Sequence, residues 1–241
     1  MERTVNRAIG VIGAMDIEIE ELVSKLTDMK KTELYGCIFY SGSMYGRQVV
    51  IQKCGVGKVN AARGTQLMID RFSPEAILNT GIAGAIAIDL NVGDAVVATE
   101  LVQHDFDTTA FGYAPGYMCN GIDPDKPTMY RADESLADKV VQAAGTVMTG
   151  STVRKGIVAT GDVFIAGAEP KRRIREMFNA SAAEMEGAAI AQTASYAGVP
   201  FAVLRVMSDR ADGSAPESYE EFEARSARLS AAAIEEFIKQ F

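Results

Sequence analysis

The sequence predicts an α/β protein, a three-layer α/β/α arrangement around a mixed, mainly parallel twisted sheet. Three observations carry that reading. Short apolar runs of five or six residues recur along the chain, most leave through a glycine, and most are followed by a stretch with helical spacing. Runs that are apolar on both faces belong to sheets covered on both sides, and interleaved helices are what cover them. No shift of composition marks a linker and no internal repeat is present, so 1–241 reads as one domain.

In chain order, Ala8-Ile9-Gly10-Val11-Ile12-Gly13 is the first strand and leads into a helical pattern over 16–22. Gln48-Val49-Val50-Ile51-Gln52 passes through Cys54-Gly55-Val56-Gly57 into a helix over about 59–72. Ala76-Ile77-Leu78-Asn79-Thr80 ends in Gly81-Ile82-Ala83-Gly84, and 94–99 and 156–160 are two further runs. A helix is expected from about 183 to 196, before the last strand at 201–206. From Ser218 onward, Phe222, Leu229, Ala233, Phe237 and Phe241 recur at helical spacing and predict a long amphipathic closing helix. The stretch 112–127 breaks the rhythm: Gly112, Pro115, Gly116, Gly121, Pro124 and Pro127 exclude a regular element there. Tyr113, Tyr117 and Met118 give that loop apolar surface to bury, which favours a lid or an interface segment.

Composition then limits the function. The chain has 24 basic and 32 acidic side chains, a formal charge of −8, and no basic stripe, so nucleic acid is a poor partner. Three cysteines make no disulfide framework and point to reduced thiols. A single histidine, His104, leaves little room for histidine-based metal sites or triads. The first residues are polar and no window approaches the ~18 apolar residues of a membrane helix, so a soluble, cytoplasmic protein is expected. Chemistry here must run on carboxylates, arginine, hydroxyls and backbone.

The glycine-rich turns do not spell a dinucleotide fingerprint or a P-loop: Gly10-Val11-Ile12-Gly13 has the wrong spacing and Gly55-Val56-Gly57-Lys58 lacks the third glycine. In open α/β sheets, however, ligands bind beyond the strand C-termini. Glu18, the 81–84 loop, 161–165 and Ser208-Asp209 all fall there, joined by Ala183-Glu184-Met185-Glu186-Gly187. Each has an ordinary structural reading at least as good as a catalytic one. Glu18, Glu184 and Glu186 suit a helix first turn, Asp209 suits a cap or turn, and Arg205 suits a buried pair with any of them. The Glu-Met-Glu-Gly segment is hardest to dismiss, because its neighbours are small and apolar and a buried carboxylate needs partners.

Taken together, the motifs resemble those of the 5′-methylthioadenosine/S-adenosylhomocysteine nucleosidases, within the purine nucleoside phosphorylase superfamily. The likeness runs from Ile9 to the C-terminal helix. It rests on 9–15 with Glu18, on Lys53-Cys54-Gly55-Val56-Gly57-Lys58-Val59 and on Asn79-Thr80-Gly81-x-Ala83-Gly84. It continues through His104-Asp105-x-Asp107-x-Thr109-Ala110-Phe111-Gly112-Tyr113 and Gly161-Asp162-x-Phe164-Ile165. Glu184-Met185-Glu186 and Arg205-x-x-Ser208-Asp209-x-Ala211-Asp212 complete it. One motif alone is weak; seven in order are highly specific.

The resemblance implies a nucleoside phosphorylase-like fold and irreversible hydrolysis of the bond between adenine and a 5′-thio-substituted ribose, without cofactor or metal. It makes Asp209 the acid that protonates adenine at N7, with Ser208 holding its carboxyl. It makes Glu18 the base that activates water, with Arg205 in the water network. Glu186 would bind the ribose hydroxyls, flanked by Glu184, and Met185 would pack under the sugar. Phe164 would stack on adenine and the Ile165 backbone would read its edge. Met15, Val56, Ile82 and Tyr219 would line the sugar and alkylthio pocket, completed by Phe111 from a second subunit of a homodimer. The physics agrees: the transition state resembles an oxocarbenium ion, which anionic groups stabilise, and acid and base on opposite faces of a sugar match inverting glycosidases.

Departures concern the 5′ end. Ile82 stands where many members carry a small hydroxyl residue, Thr108 and Cys119 replace apolar ones, and the loop over 116–127 is longer. Four rivals are weighed. A phosphorylase would need basic groups for phosphate where Asp16, Glu18, Glu20 and Glu21 stand, and another purine nucleosidase such as a futalosine hydrolase is a closer alternative. A binding protein would not need Glu18, Glu186 and Asp209 together, and His104-Asp105-x-Asp107 is a weak metal set.

Overall fold

The computed structural model describes residues 7–120, 122–211 and 219–241, with the side chains of 219 and 220 outside that description. The chain opens with β1 (Ile9–Gly13), α1 (Asp16–Ser24), β2 (Thr27–Leu34), β3 (Cys37–Met44), β4 (Arg47–Lys53) and α2 (Lys58–Phe72). The middle holds β5 (Ala76–Asn79), β6 (Ile82–Ala85), β7 (Ala95–Gln103), a 3₁₀ turn (Thr109–Phe111), β8 (Met129–Arg131) and α3 (Glu134–Val147). Last come β9 (Val153–Thr160), α4 (Ala168–Phe178), β10 (Ala180–Glu184), α5 (Gly187–Tyr196), β11 (Phe201–Asp209) and α6 (Tyr219–Gln240).

The strands form one mixed sheet in the order β2-β3-β4-β1-β5-β11-β6-β10-β9-β7-β8. The inner pairs β4–β1, β1–β5 and β5–β11 are parallel, and the β2–β3–β4 meander is antiparallel. Strand β11 belongs to both halves. Its first residues, Phe201 to Val203, run parallel to β5, while Leu204 to Val206 lie antiparallel to β7 and Val206 onward pairs with β6. The β11–β7 contact closes a circuit through β6, β10 and β9, so this half curls as a small barrel does. Met207 pairs with Ala83 and Asp209 with Gly84, so Ser208 is the extra residue of a β-bulge. Bulges of this kind re-aim side chains beside active sites.

Alternation along the strands sorts the core into layers. Ile12, Phe39, Ile77 and Val203 face α2 and α5, with Ala61, Met68 and Ile190. Ile9, Val11, Leu78 and Leu204 face the opposite way, against Ile19, Leu136, Val140, Ile234 and Phe237 of α1, α3 and α6. Each fully buried Leu, Ile or Phe contributes about 1.5–3 kcal/mol. Between the layers, no helix among the described residues is long and apolar enough to cross a membrane.

One local expectation changes, and one hairpin went unread. The helix expected over 183–196 starts at Gly187, because Ala180–Glu184 is a strand paired with β9 and β6. The small apolar run Ala180-Ser181-Ala182-Ala183 suits either state, and the sheet's open position between β6 and β9 decides it. The β2–β3 hairpin also carries little apolar signal, since β2 is largely exposed at the sheet edge, with Lys30 and Lys31 on it. The loop after Phe111 is irregular as expected. It is tied down by Gly116 N–H donating to the Phe106 carbonyl (3.0 Å) and by buried Tyr117.

Candidate active site

The ends of β1, β6, β10 and β11 meet around a cavity of about 240 Å³. Glu18 enters it from the first turn of α1. Its Oε2 accepts from the backbone N–H groups of Ala14 (2.7 Å) and Met15 (3.0 Å), and its Oε1 from Ile82 N–H (3.1 Å). The turn before β6 must be bare for this to happen, because a Cβ on Gly81 would lie 2.5 Å from Glu18 Oε1. Burial pushes the Glu18 carboxyl up, and the opposing pull of Arg205 and the three N–H donors does not cancel it. A basic carboxylate with fixed orientation follows, suited to taking a proton.

Glu184 and Glu186 flank Met185 at the β10–α5 turn, and all three line the cavity. Glu184 Oε2 accepts from Arg205 Nη2 (2.5 Å), Arg205 Nε (3.2 Å) and the N–H groups of Glu186 (3.0 Å) and Gly187 (2.7 Å). Thr160 donates its hydroxyl to Glu184 Oε1 and accepts the N–H of Ala188 (2.8 Å). Burial works against the Glu184 charge, but Arg205, Thr160 and the N–H groups outweigh it and hold the carboxyl below the usual range. Glu186 has one N–H donor, Gly57 (2.8 Å). Burial first, and the neighbouring Glu184 charge second, push it up to about 7.

Arg205 lies beneath this surface and does not line the cavity. Its Nη2 also donates to Asn79 Oδ1 (2.6 Å) and its Nη1 to the Leu204 carbonyl (3.1 Å), so four of its five N–H donors go to protein groups. It supports the cavity floor and biases the acids by charge, with Nη1 and Glu18 Oε1 both beside the Gly81 turn. At the bulge, Ser208 Oγ donates to Asp209 Oδ2 (3.0 Å) and Ala211 N–H to Asp209 Oδ1 (2.6 Å). Phe164 stands at the cavity wall, 58 % exposed, beside Ile165, and Met15, Val56 and Ile82 complete the apolar lining.

Two expected contributors stand apart. Phe111 is 77 % exposed on its 3₁₀ turn and does not reach this cavity. Tyr219 opens α6, and its side chain lies outside the described residues. His104 is packed against Gly161, away from the cavity, and burial lowers its pKa. Among the described residues no group of three or more His, Cys, Asp and Glu side chains could hold a metal ion.

Sequence reasoning missed three parts. Lys58 pairs with Asp105 (2.5 Å) while Asp105 also accepts Asp162 N–H (2.8 Å), which locks together the loops after β4, β7 and β9. Thr160 and Asn79 hold the Glu184–Arg205 pair. Glu223 of α6 lines the cavity as a further acid. The available signal for Glu223 was its spacing from Ser226 and Ser230, a polar row on one face of an amphipathic helix.

Fold and site define a nucleoside phosphorylase-like α/β enzyme whose cavity is lined by carboxylates. The family model described as the phosphorylase superfamily matches residues 8–239. A 5′-methylthioadenosine/S-adenosylhomocysteine nucleosidase of Halalkalibacterium halodurans is 43 % identical over 215 residues, covering 89 % of this chain and 90 % of that protein. The crystal structure of the same kind of nucleosidase from Neisseria meningitidis, in complex with methylthio-immucillin-A, superposes with a TM-score of 0.89. It has 38 % identity, over 98 % of this chain and 100 % of the other. A Helicobacter pylori futalosine hydrolase also superposes with a TM-score of 0.89, at 32 % identity over 99 % and 100 % of the two chains. The chain belongs to the phosphorylase superfamily and, within it, to the 5′-methylthioadenosine/S-adenosylhomocysteine nucleosidases.

Proposed function

We propose that the protein hydrolyses the N-glycosidic bond of 5′-methylthioadenosine and S-adenosylhomocysteine, releasing adenine and the 5′-thio-substituted ribose for methionine salvage. The observation that carries this is one cavity holding Glu18, Glu186 and Asp209 with Phe164 and Met185. In this reading 1–241 works as one catalytic domain, in the cytoplasm, on a nucleoside.

Asp209, steadied by Ser208 and Ala211, delivers a proton to adenine N7 and makes the base a neutral leaving group. Positive charge then develops on the ribose, where the Glu186 carboxylate, bonded to the sugar hydroxyls, stabilises it. Glu18 takes the proton of the attacking water on the far face, and its N–H cradle fixes its aim. No step asks for a metal or organic cofactor. The described cavity lining includes Glu18, Glu184, Glu186, Asp209 and Glu223 and no Lys, Arg or His, which supports water over phosphate as the nucleophile. Phe111, apolar and exposed, supports a homodimer in which it completes the neighbouring site.

The test is adenine release from 5′-methylthioadenosine in phosphate-free buffer, with free methylthioribose as co-product. Phosphate dependence or a phosphorylated sugar would sink the reading, and preferential turnover of futalosine would move the assignment to that substrate.

A further inference from the structure

We propose that Asp105 is a positioning residue for the reaction: by gripping Lys58 and the Asp162 backbone at once, it sets the donor that meets Glu186 and the aromatic wall that meets the base. The proposal rests on the nucleosidase reading and deepens it.

Asp105 does not line the cavity, so it acts through the two loops it joins. Its Oδ1 accepts from Lys58 Nζ (2.5 Å) and its Oδ2 from Asp162 N–H (2.8 Å). Asp162 returns the contact, with Oδ1 accepting Lys58 N–H (2.8 Å) and Oδ2 lying 3.8 Å from Lys58 Nζ. The three residues close a ring between the loops after β4, β7 and β9. The Lys58 and Asp105 side chains are only 17 % and 20 % exposed, so solvent ions screen their pairing less than at an open surface. Burial works against the Asp105 charge, but Lys58 and the Asp162 N–H outweigh it and hold the carboxyl below the usual range.

Each side of the ring ends on a group that the proposed reaction uses. Towards the ribose, Gly57 precedes Lys58, and its N–H donates to Glu186 Oε1 (2.8 Å). Gly57 sits at φ +97°, and a Cβ there would stand 3.1 Å from Asp162 Oδ1. Glycine is conformationally permissive, so the aim of its N–H depends on what holds the next amide, and Asp162 holds it. Towards the base, Val163, Phe164 and Ile165 follow Asp162 and line the cavity. Among the described residues no hydrogen bond ties 163–166. The flanking anchors are Asp162 N–H on Asp105 and Gly167 N–H on the Ala211 carbonyl (3.3 Å). Releasing Asp105 thus frees the aromatic wall and the Glu186 donor together, and a displacement of about 1 Å can cost about a hundredfold in rate.

The experiment measures kcat and KM for 5′-methylthioadenosine in Asp105→Ala, Asp105→Asn and Lys58→Met, each corrected for its folded fraction by circular dichroism. Asp105→Ala is expected to raise KM and lower kcat, with kcat/KM down about ten- to hundredfold. Asp105→Asn keeps an acceptor for Asp162 N–H and Lys58→Met keeps the Lys58 N–H, so each should lose about three- to fivefold. Added to Glu186→Gln, Asp105→Ala should lower kcat by a smaller factor than in the unaltered enzyme, because the charge that the Gly57 donor serves is gone. Its effect on KM should persist. A kcat/KM within about twofold of the unaltered enzyme in the folded variants overturns the proposal while leaving the function intact. An equal factor on kcat with and without Glu186 also overturns it, since a merely structural loss is blind to that acid. If Asp105→Ala does not fold, Asp105→Asn and Lys58→Met decide by the same criteria. Failure of the unaltered enzyme to hydrolyse 5′-methylthioadenosine overturns the functional reading and the proposal with it.

Discussion

Glu184 and Glu186 stand two residues apart, both buried, and end in opposite electrostatic states. Glu184 has an arginine, a hydroxyl and two N–H groups, and its carboxyl is held below the ordinary range. Glu186 has a single N–H and a charged neighbour, and it is pushed up to about 7. Burial alone therefore does not set a carboxylate's charge; the donors delivered to it do. The difference also divides the proposed labour, with the first acid belonging to the scaffold and the second left with donors to gain from the hydroxyls of the substrate it is proposed to bind.

The comparison breaks most severely at Arg205. Arg205→Leu leaves Glu184 buried without its cation, and a loss of about 3–5 kcal/mol is expected, measured as a fall in urea midpoint. Adding Glu184→Leu to that variant should recover part of the loss, since both charges are then gone. No recovery would mean that the pair is not the unit described.

Glu186 gives the next effect, with a defined sign. Its folded-state value lies above the ordinary 4.5, so the folded protein holds this proton more tightly than the unfolded chain. That contribution is whole below pH about 4.5 and is lost as pH rises towards 7, amounting to about 3 kcal/mol. Relative to Glu186→Gln, the unaltered protein should lose stability over this window in urea titrations; parallel curves would refute the assignment. In catalysis, Glu186→Gln should lower kcat/KM about a hundredfold, of the order of a lost transition-state contact. Binding of a ribose-bearing inhibitor should release a proton near pH 6, detected by calorimetry in buffers of different ionisation enthalpy.

Smaller effects sharpen the same contrast. Thr160→Val removes one donor to Glu184 and one acceptor for Ala188 N–H, costing about 1–3 kcal/mol of stability, with Thr160→Ser restoring most of it. Phe164→Leu keeps an apolar wall and removes the aromatic face, so KM for the nucleoside should rise several-fold with kcat little changed.

Much of this was legible in the chain. The strand runs at 8–13, 48–52, 76–80 and 201–206 are observed within a residue or a few, because sheets buried on both faces leave uninterrupted apolar runs. Glu18, Glu186 and Asp209 could be picked out as strand-end acids. The state of Glu184 could not, because its partners Thr160 and Arg205 are 24 and 21 residues distant and meet it only through strand pairing. Arg205 was legible as a buried arginine paired with one of these acids but not with which one, since an arginine's target is set by geometry. The helix α4 was hidden by its charge, with Ile174 and Phe178 its only fully buried residues.

Strand β11 carries Arg205, Ser208 and Asp209 while being hydrogen-bonded to β5, β6 and β7. It is thus the common datum from which the proposed proton donor and the charge beneath the floor are both measured. A one-residue slip would exchange the faces of every side chain on it, and three neighbours resist that slip at once. The amides of this strand should be among the slowest in the protein to exchange with solvent. The chain has set its proposed proton donor where local opening requires dismantling the whole.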